Sequence, residues 1–428
     1  MMPDYKKKKR SKLFSLEKKE KKRSDKKEYD EIEMYSDDEK AYKKNKNLKI
    51  VAGKKKERQR RFRNFSAFLA VVVVIILVLE LILPAGIFET VKITANVIGS
   101  GSFPLKLEST ETLNTVTKGS YYYVLSNTHF TAFSNSGKEL FSYSHGFENP
   151  ILKTSASRAM VFDQGGTAAH IFDINKLKTT ITSERPIITA AISDNGSYAI
   201  ATTSEKYVAA VTVYEKDKDK VYEWYSAEDI VNSIALSRNG KKLAVAVFNS
   251  SDGGYKSKLT VLKYDSATPV YSEEFSNDII YSIDNSFASR FAVVTSNKIK
   301  FIKWSNYKAR EYSNDYTASF FDSYKKGYIA VFARESDKTD NRIAVFGTNG
   351  KLKYEFGFTG RITDITVRGS HVYCMSETEI CVLGKDGKLI KNVPCGFGGV
   401  NICVPSSNTA LVITDSEIQK QKLDREQK

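Results

Sequence analysis

From residue 112 onward the chain repeats itself at intervals of about forty residues, and that period constrains the fold more than any other feature. Similar openings occur as TLNTVT at 112, ILKTSA at 151, IITAAI at 187, IVNSIA at 230, IIYSID at 279, TASFFD at 317, RITDIT at 361 and GVNICV at 399. Each opening leads into short runs rich in Val, Ile, Tyr, Phe and Thr, separated by turn residues, and no amphipathic helix of useful length interrupts them. Within a unit the order is strand, turn, strand, strand, strand, as in ITDITV, HVYCMS, EICVLG and KLIKNV. A four-stranded unit recurring at this period predicts an all-β fold, a β-propeller with one unit per blade.

The turns keep phase with the repeat. Asp194-Asn195-Gly196 and Asn239-Gly240 fall between first and second strands; Ser136-Gly137, Asn349-Gly350 and Asp386-Gly387 fall between third and fourth. A glycine after Asn, Asp or Ser supplies the positive φ that a tight hairpin requires. Runs such as KLAVAVF, FAVVTS and YIAVFA barely alternate, as expected of strands buried on both faces between neighbouring blades. The eighth unit has VNICVP, TALVIT and a more polar EIQKQKL but no fourth strand, while FPLKL at 103–107 is a strand without a unit. Pairing the two closes the ring and removes its exposed edge. Eight blades over 103–423 follow, with seven as the alternative if EIQKQKL is only tail.

SDNGSYAIA and SRNGKKLAVAV resemble WD40-like and lactonase-like repeats, and GKELFSY, GKLKYEF and GKLIKNV resemble quinoprotein-type repeats. The layout as a whole resembles an uncharacterised bacterial family of single-pass membrane proteins with a propeller ectodomain. The resemblance implies architecture and no activity.

The formal charge of +16 suggests a nucleic-acid binder until it is divided along the chain. Residues 1–64 hold 25 Lys/Arg and 12 Asp/Glu, leaving 41 and 38 for the remainder. The basicity belongs to one tail, so no nucleic-acid partner is expected. Like-charge blocks such as KKKKR and KKKERQRR read as a disordered cytoplasmic tail, able to lie on an anionic inner leaflet. Tyr35-Ser36-Asp37-Asp38-Glu39 within it is a candidate phosphorylation site.

Residues 65–88, from Phe65 to Phe88, are apolar apart from Ser66 and Glu80, long enough for a transmembrane helix. Arg58, Arg60, Arg61 and Arg63 precede it, so the positive-inside rule places the tail in the cytoplasm and the rest outside the cell membrane. The long preceding region favours an uncleaved signal anchor over a cleaved peptide. Residues 89–102 then read as a linker and 424–428 as a C-terminal tail.

No catalytic motif stands out. The histidines, His129, His145, His170 and His371, have no ligand-pair spacing and read as structural or solvated. Trp224 and Trp304, both in outer-strand contexts, cannot supply a quinoprotein platform, so no cofactor is expected. Asp284, Asp322 and Asp364 offer carboxylates on the axis-lining strands; they are candidates for a cation site, with turn-capping the competing role. A turn centred between Glu377 and Thr378 sets Cys374 opposite Cys381, a candidate disulfide whose alternative is two buried free thiols; Cys395 and Cys403 lie nearby in sequence. The expectation is a non-enzymatic binding scaffold at the cell envelope, presenting rim or axial funnel to an envelope protein or ligand. Two other readings stay open: a hydrolase or oxidoreductase working in the central channel, and a sensor coupling ectodomain binding to the tail.

Overall fold

The computed structural model describes residues 60–79, 86–109, 111–216, 219–251, 254–287, 289–396 and 398–423. Expectations for residues 1–59, including leaflet binding and phosphorylation, and for residues 424–428 lie outside the described residues. The chain divides into two compact units, Met1–Val78 and Leu79–Lys428.

In the first unit, helix α1 (Arg60–Leu79) is long and apolar enough to cross a membrane. Its 20 residues rise about 30 Å, the thickness of a bilayer core. Phe65, Phe68, Leu69, Val74 and Leu77 are exposed on its surface, which leaves the apolar run without a polar face.

The second unit begins with helix α2 (Gly86–Val97). Phe88 lies in this helix, and helix replaces much of the expected linker. Beyond it, eight four-stranded antiparallel sheets form the blades of a propeller. Blades 1 to 7 span residues 112–144, 150–182, 187–226, 230–276, 282–313, 317–359 and 364–394. Blade 8 takes three strands from residues 401–422 and its fourth, Leu105–Lys106, from the other end of the propeller. Leu105 pairs with Ile418 and Lys106 with Glu417, so the polar EIQKQKL segment is the third strand and the ring has eight blades.

First strands of successive blades contact one another and surround the axis. Side chains tie these inner strands together: the Ile283 N–H donates to Ser233 Oγ at 3.0 Å and the Ile402 N–H to Asp364 Oδ2 at 2.8 Å. Phe103, Leu105 and Leu107 pack on Tyr122, Phe133, Leu411 and Ile418, so the closing strand is held by apolar contact as well as by its ladder.

All five phased glycines have positive φ: Gly137 +85°, Gly196 +88°, Gly240 +66°, Gly350 +70° and Gly387 +77°. Three of them have a second duty that the sequence did not announce. A Cβ on Gly137, Gly350 or Gly387 would stand 2.7, 2.4 or 2.7 Å from the ring or Cβ of Phe103, Phe301 or Phe356, each from the preceding blade. The turn between third and fourth strands thus lies flat on an aromatic of its neighbour.

Antiparallel strands send alternate connections to opposite ends of a blade, so the propeller has two chemically distinct faces. Connections within strand pairs one–two and three–four hold 12 Lys/Arg and 5 Asp/Glu among the described residues. Connections two–three and from blade to blade hold 3 and 12. One face is basic and the other acidic. The propeller as a whole is nearly neutral, so this polarity is invisible in its total charge.

Candidate functional site

The end of the bore at the basic face gathers charged groups from several blades. Lys118 follows the first strand of blade 1, Lys153 lies in that of blade 2, Asp194 turns out of that of blade 3, and Asp284 and Asp322 lie in those of blades 5 and 6. Burial pushes Lys118 below its ordinary value, opposed by Asp194, Asp322 and Asp284. Lys153 is lowered by burial too, opposed by Asp284. Asp194 is raised by burial, against the Ala156 N–H at 2.8 Å, Arg238 and Lys118. Asp322 is exposed to the water of the bore yet walled by protein. Those walls raise its pKa, Asp284 and Asp364 add to the rise, and the Ser323 N–H and Lys118 oppose it.

The three carboxylates singled out from sequence therefore have different tasks. Asp284 accepts from the N–H and hydroxyl of Ser286, at 3.0 and 2.9 Å, and so caps a bulge in its own strand. Asp322 accepts from the next N–H and is left facing the bore. Asp364, 8% exposed, accepts from Ile365 and Ile402 and fastens blade 7 to blade 8. Among the described residues, no three His, Cys, Asp or Glu side chains come together as metal ligands. Lys118, Lys153 and Asp194 were not singled out. Lys118 lies one residue beyond a repeat opening, and the Asp194-Asn195-Gly196 sequence by itself signals only a turn.

Cys374 and Cys381 stand opposite each other in register, as the hairpin spacing predicts, and both are free thiols. The Ser376 N–H donates to the Glu379 carbonyl and closes the hairpin, making 376/379 a hydrogen-bonded pair. Alternation then makes 374/381 another such pair, the wider kind, whose Cα atoms lie about 5.5 Å apart. Cys374 and Cys381 instead fill the apolar contact between blades 6 and 7.

The histidines are structural where they are buried. His145 accepts from the Phe147 N–H at Nδ1, so its Nε2–H donates to the Ser126 carbonyl, at 3.0 and 3.1 Å; burial lowers its pKa. His170 packs among Tyr143, Phe147 and Phe172. Trp304 departs from its expected outer-strand place: it follows the third strand of blade 5, lies 4.4 Å from Phe291 and donates from Nε1 to Asn285.

The acidic face carries a second candidate site. Tyr207, Tyr225, Ile230, Tyr255 and Tyr281 reach this face from blades 3 to 5, each between 43% and 48% exposed. The rings of Tyr207 and Tyr225 lie 4.8 Å apart. Blades 4 and 6 extend this face with long hairpins, Lys242–Ser251 with Gly254–Lys263 and Gly327–Arg334 with Asp337–Gly347, on either side of the shorter blade 5. Among the described residues the basic end exposes Val221, Leu389 and Ile390 but no tyrosine cluster of this kind. Large rigid aromatics with a polar tip, set in a rim of one charge, are a chemistry suited to holding another protein.

Comparison with protein families matches residues 104–423 to DUF5711, a family of unknown function. Comparison with curated proteins gives no match. Among solved structures the chain is similar to BamB from Moraxella catarrhalis, at 10% identity over 76% of this chain and 99% of that one, with a TM-score of 0.48. It is also similar to apo AztD from Citrobacter koseri, at 13% identity over 67% and 87%, with a TM-score of 0.47. The family match spans all eight blades, and the chain belongs to DUF5711, a family of unknown function.

Proposed function

We propose that this protein is a membrane-tethered, non-catalytic scaffold whose propeller, held outside the cell by α1, recognises a basic segment of an envelope protein through its acidic face. The observation that carries this reading is the exposed set Tyr207, Tyr225, Ile230, Tyr255 and Tyr281 within a face of 12 anionic and 3 cationic connecting residues. Aromatic side chains left half exposed on one face of a folded domain cost little entropy to order against a partner, and they contribute disproportionately to its binding. The surrounding carboxylates would steer a basic partner and disfavour an acidic one.

The test is site-specific photocrosslinking from positions 225, 255 and 281 of the full-length protein in its own membrane. A protein adduct that weakens with salt and disappears in Tyr225→Ala/Tyr255→Ala, with unchanged melting, supports the reading. Adducts that form equally from the opposite face would refute it.

A catalytic reading has one observation in its favour: Asp322 and Lys118 reach the same end of the bore, interact electrostatically there, and have pKa values displaced in opposite directions. Turnover of an envelope substrate that is lost in Asp322→Asn, with the fold retained, would establish that reading instead.

A further inference from the structure

We propose that the basic face of the propeller is a docking surface for anionic phospholipid. The inference rests on the reading of α1 as a membrane anchor and adds the partner of the face opposite the tyrosines.

Three observations converge on it. The first is chain connectivity. Helix α2 joins the propeller on its basic face: Lys138 Nζ donates to the carbonyls of Asn96 and Ile98 at 3.1 and 2.9 Å, and Asn175 Nδ2 donates to Asn96 at 3.3 Å. Lys138 and Asn175 belong to three–four turns, which emerge on that face. Seven peptide links separate Leu79 from Gly86 and reach at most about 25 Å when fully extended. The connection toward α1 thus leaves the propeller from its basic face rather than its acidic one.

The second observation is charge. This face has 12 cationic and 5 anionic connecting residues, and Lys241, Lys325 and Lys326 among them are exposed. Lysine and arginine near an anionic leaflet are attracted over about a Debye length. The acidic face would be repelled by the same leaflet, so the two faces select one orientation.

The third is a recess beside α2. A cavity of about 640 Å³ between blades 2 and 3 is lined by Gly196 and by the charged residues Arg158, Lys178, Lys220 and Asp219, so its three cations outnumber its one carboxylate. Asp173 links the cavity to the helix, since it lies 3.5 Å from both Arg158 Nε and Lys92 Nζ. The guanidinium lies so close to Gly196 that a Cβ there would meet Arg158 Nη1. A phosphate headgroup is an anion of the size and charge that such a recess accepts.

The experiment is hydrogen exchange on the full chain in nanodiscs of phosphatidylcholine alone and of phosphatidylcholine with 30% phosphatidylglycerol. Anionic discs are expected to slow exchange in residues 118–120, 237–241 and 325–326 by roughly ten-fold at low salt, an effect lost at about 0.5 M salt. Residues 227–229 and 314–316 on the acidic face should not change. Lys241→Glu/Lys325→Glu/Lys326→Glu, at exposed positions that leave the core intact, should abolish the protection without shifting the melting temperature. Equal exchange in both kinds of disc, or protection that survives high salt, would overturn the proposal. So would equal protection by soluble polyglutamate in neutral discs, which would make the partner an acidic protein. Alkaline extraction of the same discs reports on α1 separately: a chain that washes out yet is protected only on anionic lipid refutes the anchor and keeps the docking face.

Discussion

Gly387 and Gly369 lie in the same blade, both with positive φ, +77° and +63°, and differ in what surrounds them. A Cβ on Gly369 meets nothing within 4 Å, whereas one on Gly387 would stand 2.7 Å from Phe356. Gly369→Ala therefore isolates the backbone cost of a left-handed conformation, about 1 kcal/mol. Gly387→Ala adds the overpacking of a buried aromatic, about 1–3 kcal/mol, for a total of about 2–4. For a domain of this size 1 kcal/mol corresponds to about 1.5 °C in Tm, so drops of about 1.5 and 3–6 °C are expected by calorimetry or circular dichroism. A third variant separates the two contributions. In a Phe356→Leu background the neighbour can give way, and the further cost of Gly387→Ala should fall to that of Gly369→Ala. Equal costs for the two glycines, or no relief from Phe356→Leu, would show that the turns do not rest on the neighbouring blade.

Removing residues 103–109, or replacing Phe103, Leu105 and Leu107 with Ala, should expose the edge of blade 8. Hydrogen exchange should accelerate by about 100-fold in residues 409–422 and little in blade 4, since three half-buried apolar side chains contribute about 3 kcal/mol; unchanged protection would mean the ring closes otherwise. Burial raises Asp364 from 3.8 to about 6, against hydrogen bonds from Ile402, Ile365 and Asn401. Its folded pKa exceeds the unfolded one, so the folded state holds the proton more tightly and stability falls as pH rises from about 4 to 6, by about 3 kcal/mol. Asp364→Asn, which keeps an acceptor for Ile402, should flatten that slope in denaturation midpoints measured from pH 4 to 8. Burial pushes the Cys381 thiol up to about 11 and Cys374 well above its usual range. Iodoacetamide should therefore label neither at pH 8 until the protein unfolds, and mass spectrometry without reductant should find no 374–381 disulfide.

The blades were legible because they repeat. First strands begin at 112, 150, 187, 230, 282, 317, 364 and 401, within three residues of the repeat openings. One turn escaped because it breaks the glycine rule. Asn306-Tyr307-Lys308 is the counterpart of Asn349-Gly350-Lys351: Tyr307 has φ +59°, and the Lys308 N–H donates to Asn306 as the Lys351 N–H does to Asn349. Here tyrosine is held in a glycine's conformation by stacking on Tyr271 and by a hydrogen bond from Lys242 to its hydroxyl. Both partners come from blade 4, far away in the sequence. The polarity of the faces was hidden for a different reason. Their charges cancel in composition and separate only when alternate turns are assigned to alternate ends, as with Lys325-Lys326 at one end of a strand pair and Glu335 at the other.

The shared blade also sets an order of events in time. Ser109, whose hydroxyl donates to the Asp415 carbonyl, is 306 residues from its partner. The strand that seals the ring is made first and paired last. Contacts so distant in sequence are slow to form, because a long loop must close before they return any free energy. Until the last residues of blade 8 emerge, every newborn copy keeps an open sheet edge at each end of an incomplete ring, and two such copies side by side could pair with each other. Synthesis rate and spacing between nascent chains, rather than the stability of the finished ring, would then decide how much of this protein reaches its closed form.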